Sequence, residues 1–404
     1  MTEQTEQHHH HQQQQQRPPR SSSSESTSEG TPVPIGPDGL TPFERVEKQR
    51  AEAVDRVAAD DTLDEAAKIE AIAKIRGWFL GDTAAVDAFL AGEADAAATV
   101  ERLAAPIDEA YSTADHGVAL YREEQVARTQ RKYHSPVTAL EMWGPEQDFP
   151  PPTPETESLP STEGQLWELW YGVLHAAKRI PWRDAAQQDK LVSLVRALKS
   201  RPDPAPPRPL TVPLGRNWIW ERRGALWSVL LLLGPSAREC WNDACGSGAG
   251  WTAPERAAWA NVNAFAARLA AAGVADLSAY AVWALGDALE AADRAAQLRL
   301  QLQTYLTVAA VWVQIAGAYM YGKRPAAGRE ADAGLGAGVH VGLDAAEEEL
   351  PWRRGGGDEV RFCTARWDFW RRKFDREARN EELSEEVREL CAQSAATISR
   401  LLTR

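Results

Sequence analysis

Between positions 166 and 177 six apolar residues, Leu166, Leu169, Trp170, Val173, Leu174 and Ala177, recur at spacings of three and four. At 3.6 residues per turn that spacing puts all six on one face of an α-helix. The rule recurs along the chain. It places Leu191, Leu194, Val195 and Leu198 on a helix over about 185–199. Val262, Phe265, Ala266 and Leu269 share a face of a helix running to Ala272. Cys363, Trp367, Trp370 and Phe374 share a face near the C-terminus. No segment combines period-two alternation with flanking turn residues, and no fixed-period repeat is present. The expected fold class is all-α, a multi-helix bundle or an array of antiparallel helix pairs.

Boundary residues divide the chain further. Thr162 with Gln165, and Thr252 with Glu255, read as capping boxes. Pro181 stops the first of these helices, and Gly273 caps the second. Helix begins near Thr41, with Pro42 at its first position. A second helix is expected over 63–80, with Ile69, Ile72 and Ile75 on its face and Gly81 at its end, and a third over 84–90. A long one over 94–131 should break or kink at Pro106. A compact apolar helix over 225–233 should end at Gly234 and Pro235. Later helices are expected from Asp276 or Ser278 to Leu289, over about 291–321, and from Ser384 to Leu402. At the last of these, Val387 stands where a capping box needs Glu or Gln.

Composition sets the organisation. Residues 1–40 hold His8 to His11, Gln12 to Gln16 and Ser21 to Ser24, too polar to offset the entropy of ordering, and should be disordered. An N-terminal helical lobe, 41–142, is followed by a proline-rich linker, 143–160. A helical domain over 161–404 carries a second proline-rich linker, 201–213, and a glycine-rich acidic loop, 323–360. Of sixteen tryptophans only Trp78 and Trp143 precede residue 160, so the tryptophan-rich core belongs to the later part.

The formal charge of -13 argues against nucleic-acid binding, which needs clustered Lys and Arg. Leu300 to Gly322 lacks charge, but Gln301, Gln303 and Gln314 interrupt it, so a buried helix is expected and not a membrane span. Cys240, Cys245, Cys363 and Cys391 form no C-x-x-C pair, no Asn-x-Ser/Thr acceptor exists, and the polar start gives no secretory signal. A reducing compartment, cytoplasmic or nuclear, and free buried thiols follow.

Four stretches carry a resemblance: Leu166 to Trp182 (LWELWYGVLHAAKRIPW), with Gln188 and Lys190-Leu191-Val192 after it; Trp259 to Leu269 (WANVNAFAARL); Tyr280 to Glu290 (YAVWALGDALE); and Arg366 to Phe374 (RWDFWRRKF). In this order, over about residues 160–380, the chain resembles an uncharacterised fungal family of helical proteins of unknown function. The resemblance implies a helical intracellular protein. It implies no activity and no functional residue.

No residue pattern rises to a catalytic, cofactor or metal site. Large aromatic rings either fill a helical core or line a groove. The pocket candidates are Trp167, Trp170, Tyr171 and His175 on one helix, and Trp283 and Asp287 on another. Glu290, near Asp287, is a further group that could approach His175. Gly334, Gly336 and Gly338 lack the preceding strand of a phosphate cradle. Arg371, Arg372 and Lys373 sit among Asp368, Asp375 and Glu377 as on an ordinary solvated face. Arg201, Pro204 and Pro207 match a pattern that docks on SH3-type grooves. The reading is a non-enzymatic interaction or scaffold protein with protein partners and neither nucleic acid nor membrane. The alternative is a small-ligand binder or enzyme with a tryptophan-lined pocket between helices of 160–380. An enclosed pocket including His175 or Asp287 favours the second, and an exposed groove the first.

Overall fold

A helix leaves four N–H groups open at its start, so its boundary falls where a side chain can accept them. In the computed structural model, which describes residues 39–112, 116–157, 161–204, 225–291, 299–333, 335–339, 341–345, 349–354 and 361–403, this rule sets most boundaries. Asp64 accepts the Ala67 N–H at the start of α2 (Glu65–Arg76). Ser161 accepts the Gly164 N–H at the start of α7 (Thr162–Arg179). Asp184 accepts that of Gln187 at the start of α8 (Ala185–Lys199). The Thr252/Glu255 capping box opens α10 (Ala253–Ala271) as expected.

The contact map divides the chain into units 1–49 and 50–404. The described part of the first holds the start of α1 (Pro42–Ala58), where Thr41 and Glu44 cap each other reciprocally. The second contains α2, α3 (Ala84–Ala91), α4 (Ala96–Ser112), α5 (His116–Arg131), α6 (Pro136–Trp143), α7 and α8. It continues through α9 (Leu233–Cys240), α10, α11 (Ser278–Leu289), α12 (Arg299–Tyr321), α13 (Thr364–Glu377) and α14 (Glu385–Leu402). Among the described residues there is no strand, only a single bridge between Cys245 and Ala249. The protein is all-α.

Several boundaries differ from the sequence reading. α2 ends at Gly77, whose φ of 74° suits a residue without Cβ, and not at Gly81. The cap of α7 is Ser161, one residue before Thr162. The expected helix over 94–131 is two helices, and Pro106 lies inside α4. Ser384 does cap α14, through the Val387 N–H, without the reciprocal bond. α12 starts at Arg299, and the expected start at 291 is followed by residues outside the described set. No helix covers 225–232. There the chain makes tight turns with Leu230 and Leu232 at φ 49° and 67°, and α9 begins only at Leu233. Pro235 fits the offset: it removes a donor from a helix running on from 225, but suits the first turn of a new one. Asp203 holds the turns by accepting from the N–H groups of Leu226, Trp227 and Ser228.

α7 packs against α2, α3, α4, α9 and α10; α10 packs along α12; α12 packs on α11 and α14, and α14 pairs with α13. α8 packs chiefly on α4 and α10 and only lightly on α7, so the two are not the simple hairpin their short connection suggests. Val86, Phe89, Val100 and Ile107 from α3 and α4 lie in the same hydrophobic cluster as the stripes of α7, α10, α12, α13 and α14. All six stripe residues of α7 are buried, as are Cys363, Trp367, Trp370 and Phe374 of the C-terminal stripe. Burying each Leu or Trp contributes about 2 kcal/mol. Leu335, Leu350 and Trp352 are also buried, so the 323–360 stretch sends side chains into the core and is not wholly a surface loop.

Most fully buried indoles find an acceptor for their N–H. Trp170 donates to the Leu231 carbonyl at 2.6 Å, Trp227 to Asp108 at 2.8 Å, Trp312 to Asn263 at 2.8 Å and Trp370 to Glu290 at 2.7 Å. Each bond ties two elements at a fixed angle, which apolar contact alone does not do. All four cysteines are free and buried. Among the described residues, no helix is long and apolar enough to cross a membrane. The four-histidine run, Trp218, Trp220, Pro207, Gly334 and the tail 1–38 lie outside the described residues.

Candidate functional site

The six pocket candidates do not converge. Trp167 and Tyr171 stack one turn apart on α7 at 5.5 Å, with Trp167 partly buried and bonded to Glu163. Trp170 faces the core. His175 is buried where α7 meets α2. Trp283 and Asp287 lie exposed on α11. Trp283 contacts Tyr280 at 5.2 Å, and Tyr280 contacts Trp241 at 4.0 Å, so its aromatic neighbours run along the α9–α11 side.

His175 is built into a structural network. Its Nε2 lies 2.5 Å from Glu70 Oε2, and Phe79 stacks on the ring at 4.8 Å. Burial pushes the imidazole down to about 4; the Glu70 contact opposes this, while Arg179 and Lys178 add to it. The ring is therefore neutral at pH 7 and donates through Nε2. Its Nδ1 is buried with no hydrogen-bond partner among the described residues. Arg179 continues the network to Asp87 and Thr83 at 2.8 and 2.9 Å. The Nε2 of His175 is thus committed to Glu70 and its Nδ1 is shut away from solvent.

Two more charged clusters are equally self-contained. Glu290, buried, accepts from Arg366 at 2.7 and 3.0 Å, from Arg353 at 3.1 Å and from Trp370. Burial acts to raise its carboxyl, but Arg366 and Arg353 outweigh it and hold the group below the ordinary carboxylate range. Lys178 pairs with Asp243 at 2.6 Å under the Trp78 ring. Burial raises the adjacent Cys240 thiol, and Cys245 is pushed up to about 12, so neither offers a thiolate nucleophile. On α13, Arg371 and Arg372 both bind Asp368, and Lys373 is buried. Arg201 binds Asp108 and Glu101, both at 2.7 Å. Among the described residues, no three His, Cys, Asp or Glu side chains group as metal ligands would.

The structure instead opens a cleft of about 530 Å³ at the turn between α7 and α8, lined by none of the six candidates. Trp182 and Arg183 come from that turn, Arg268 from α10, Gln314 and Ile315 from α12, and Glu386, Glu389 and Leu390 from α14. Buried amides set the turn. The Trp182 N–H donates to Asn261 Oδ1 at 2.8 Å, Asn261 Nδ2 donates to the Lys178 carbonyl, and Gln188 Nε2 donates to the Ile180 carbonyl, each at 2.9 Å. They satisfy the backbone that Pro181 frees from the helix. Arg183 lies over the Trp182 ring at 4.2 Å and pairs with Glu386 at 2.8 Å. Arg268 pairs with Asp189 at 2.9 Å. Two donors in the lining, Arg268 Nε and Gln314 Nε2, are buried without a partner among the described residues.

Sequence reasoning passed over this site. Gln314 was visible as a polar interruption of an apolar helix, a position where a buried amide needs a partner. Trp182 was visible only as the last residue of the first stretch that carries the resemblance. Convergence of one turn with α10, α12 and α14 has no local signature.

A family model described as "Protein of unknown function (DUF3632)" matches residues 170–374, just over half of the chain. Trp182, Arg183, Arg268, Gln314 and Ile315 lie within the match, and the α14 wall of the cleft lies beyond it. No curated protein and no solved structure matches the chain. The chain belongs to the DUF3632 family, a domain family of unknown function.

Proposed function

We propose that this chain is a non-enzymatic interaction module that receives a segment of a protein partner in the cleft beside Trp182. The observation that carries the reading is the lining of that cleft: a part-buried indole on a turn held by buried amides, an exposed ion pair at the rim, and the exposed Glu389 and Gln393 beside it. An enzymatic reading draws no comparable support, because Glu290 and Lys178 are paired with neighbours in the fold and the Nε2 of the buried His175 is taken by Glu70. Free buried thiols agree with a cytoplasmic or nuclear setting, and the resemblance with a fungal cell.

The test is a steric block. Gln393 lines the cleft and is exposed, so Gln393→Trp fills it without touching the core. Tagged full-length protein purified from its own cell should retain a stoichiometric partner that the Gln393→Trp variant loses, with the circular dichroism spectrum unchanged. Identical partners on both proteins would place docking elsewhere and overturn the proposal.

A further inference from the structure

The cleft already holds one guanidinium. Arg183 lies over the Trp182 ring at 4.2 Å and reaches Glu386 at 2.8 Å, which is the pairing of aromatic face and carboxylate that guanidinium recognition uses. The turn that carries the indole is held at its backbone by the buried Asn261 and Gln188 amides, whereas the guanidinium is not held: the Arg183 and Glu386 side chains are 53% and 65% exposed. An ion pair that exposed is worth little and is easily exchanged. One turn further along α14, Glu389 is exposed and makes no ion pair among the described residues. Both arginines of the lining are paired, Arg268 to Asp189 and Arg183 to Glu386, so the charge left over in the cleft is acidic.

We infer that the cleft reads an arginine side chain of an extended partner segment, and that Arg183 occupies its place in the free chain. This rests on the docking role proposed above and names the chemistry of the partner. The incoming guanidinium displaces Arg183 from Trp182 and lies between Glu386 and Glu389. The partner class is a peptide with an internal arginine.

The experiment is selection of a random peptide display library on the full-length chain. Fluorescence anisotropy of one selected peptide and its Arg→Ala and Arg→Glu derivatives follows. Peptides with an internal arginine are expected. Glu389→Gln should weaken binding by about threefold or more. Arg183→Ala should strengthen it by about two- to fivefold, the range an exposed ion pair is worth. Were Arg183 itself the recognition group for an acidic ligand, the same variant would weaken binding, so the sign decides. Gln393→Trp separates the two levels. Arginine-free or acidic peptides that are lost on Gln393→Trp would overturn the guanidinium inference and leave the docking role standing. An empty selection, or binding unaffected by Gln393→Trp, would overturn both; the latter is what mere attraction to a chain of charge -13 would give. Free arginine competing as well as the peptide would overturn the assignment to a partner segment.

Discussion

His175 enters the core as a neutral ring, with Phe79 on its face and Glu70 taking its Nε2 proton in a hydrogen bond. The unfolded chain binds a proton there below pH 6.5, and the folded chain only below about 4. Protonation therefore favours the unfolded state in that window, and stability falls as the pH drops through it. The loss approaches about 3 kcal/mol by pH 4. His175→Gln keeps a donor for Glu70 and removes the proton. Urea unfolding of the variant between pH 6.5 and 4 should be flatter by about that amount, and equal slopes would mean the ring is charged in the fold. Glu290 makes the opposite case. Glu290→Gln keeps an acceptor for Trp370 but strands the buried Arg366 guanidinium, and should cost about 3–5 kcal/mol in urea unfolding at pH 7. Neither partnership was legible in the sequence, because Glu70 is 105 residues from His175 and Arg366 is 76 from Glu290.

Helices were legible wherever periodicity and capping agreed. α7, α8, α10 and α14 fall within a residue or two of the boundaries their stripes and caps predict. The reading failed where two local preferences compete. Residues 225–233 carry a strongly helical apolar run, but Pro235 claims a helix start just after it, and the run folds into turns held by Asp203. That arrangement leaves two leucines at positive φ, each a cost of about 1–2 kcal/mol that their burial and the Trp170 bond to Leu231 offset. Gly77 ended α2 earlier than expected because an available left-handed residue outweighs the apolar Trp78 and Phe79 beyond it. The cleft was the least legible element: only Gln314 marked it, and its walls meet through packing of α10, α12 and α14 that no local pattern encodes.

At the scale of the whole molecule, residues from α3 to α14 share one hydrophobic cluster. The four thiols are spread through it: Cys240 at the end of α9, Cys245 in the following loop, Cys363 capping α13 and Cys391 on α14. None is exposed and none is bonded to another. They therefore form a clock. An alkylating reagent cannot reach a sulfur until the packing around it opens, so each labelling rate counts openings at one address. If the cluster breathes as a single body, mass spectrometry should find the four sites modified at one common rate that urea accelerates in parallel. Two distinct rates would locate a seam in the core that no static view reveals.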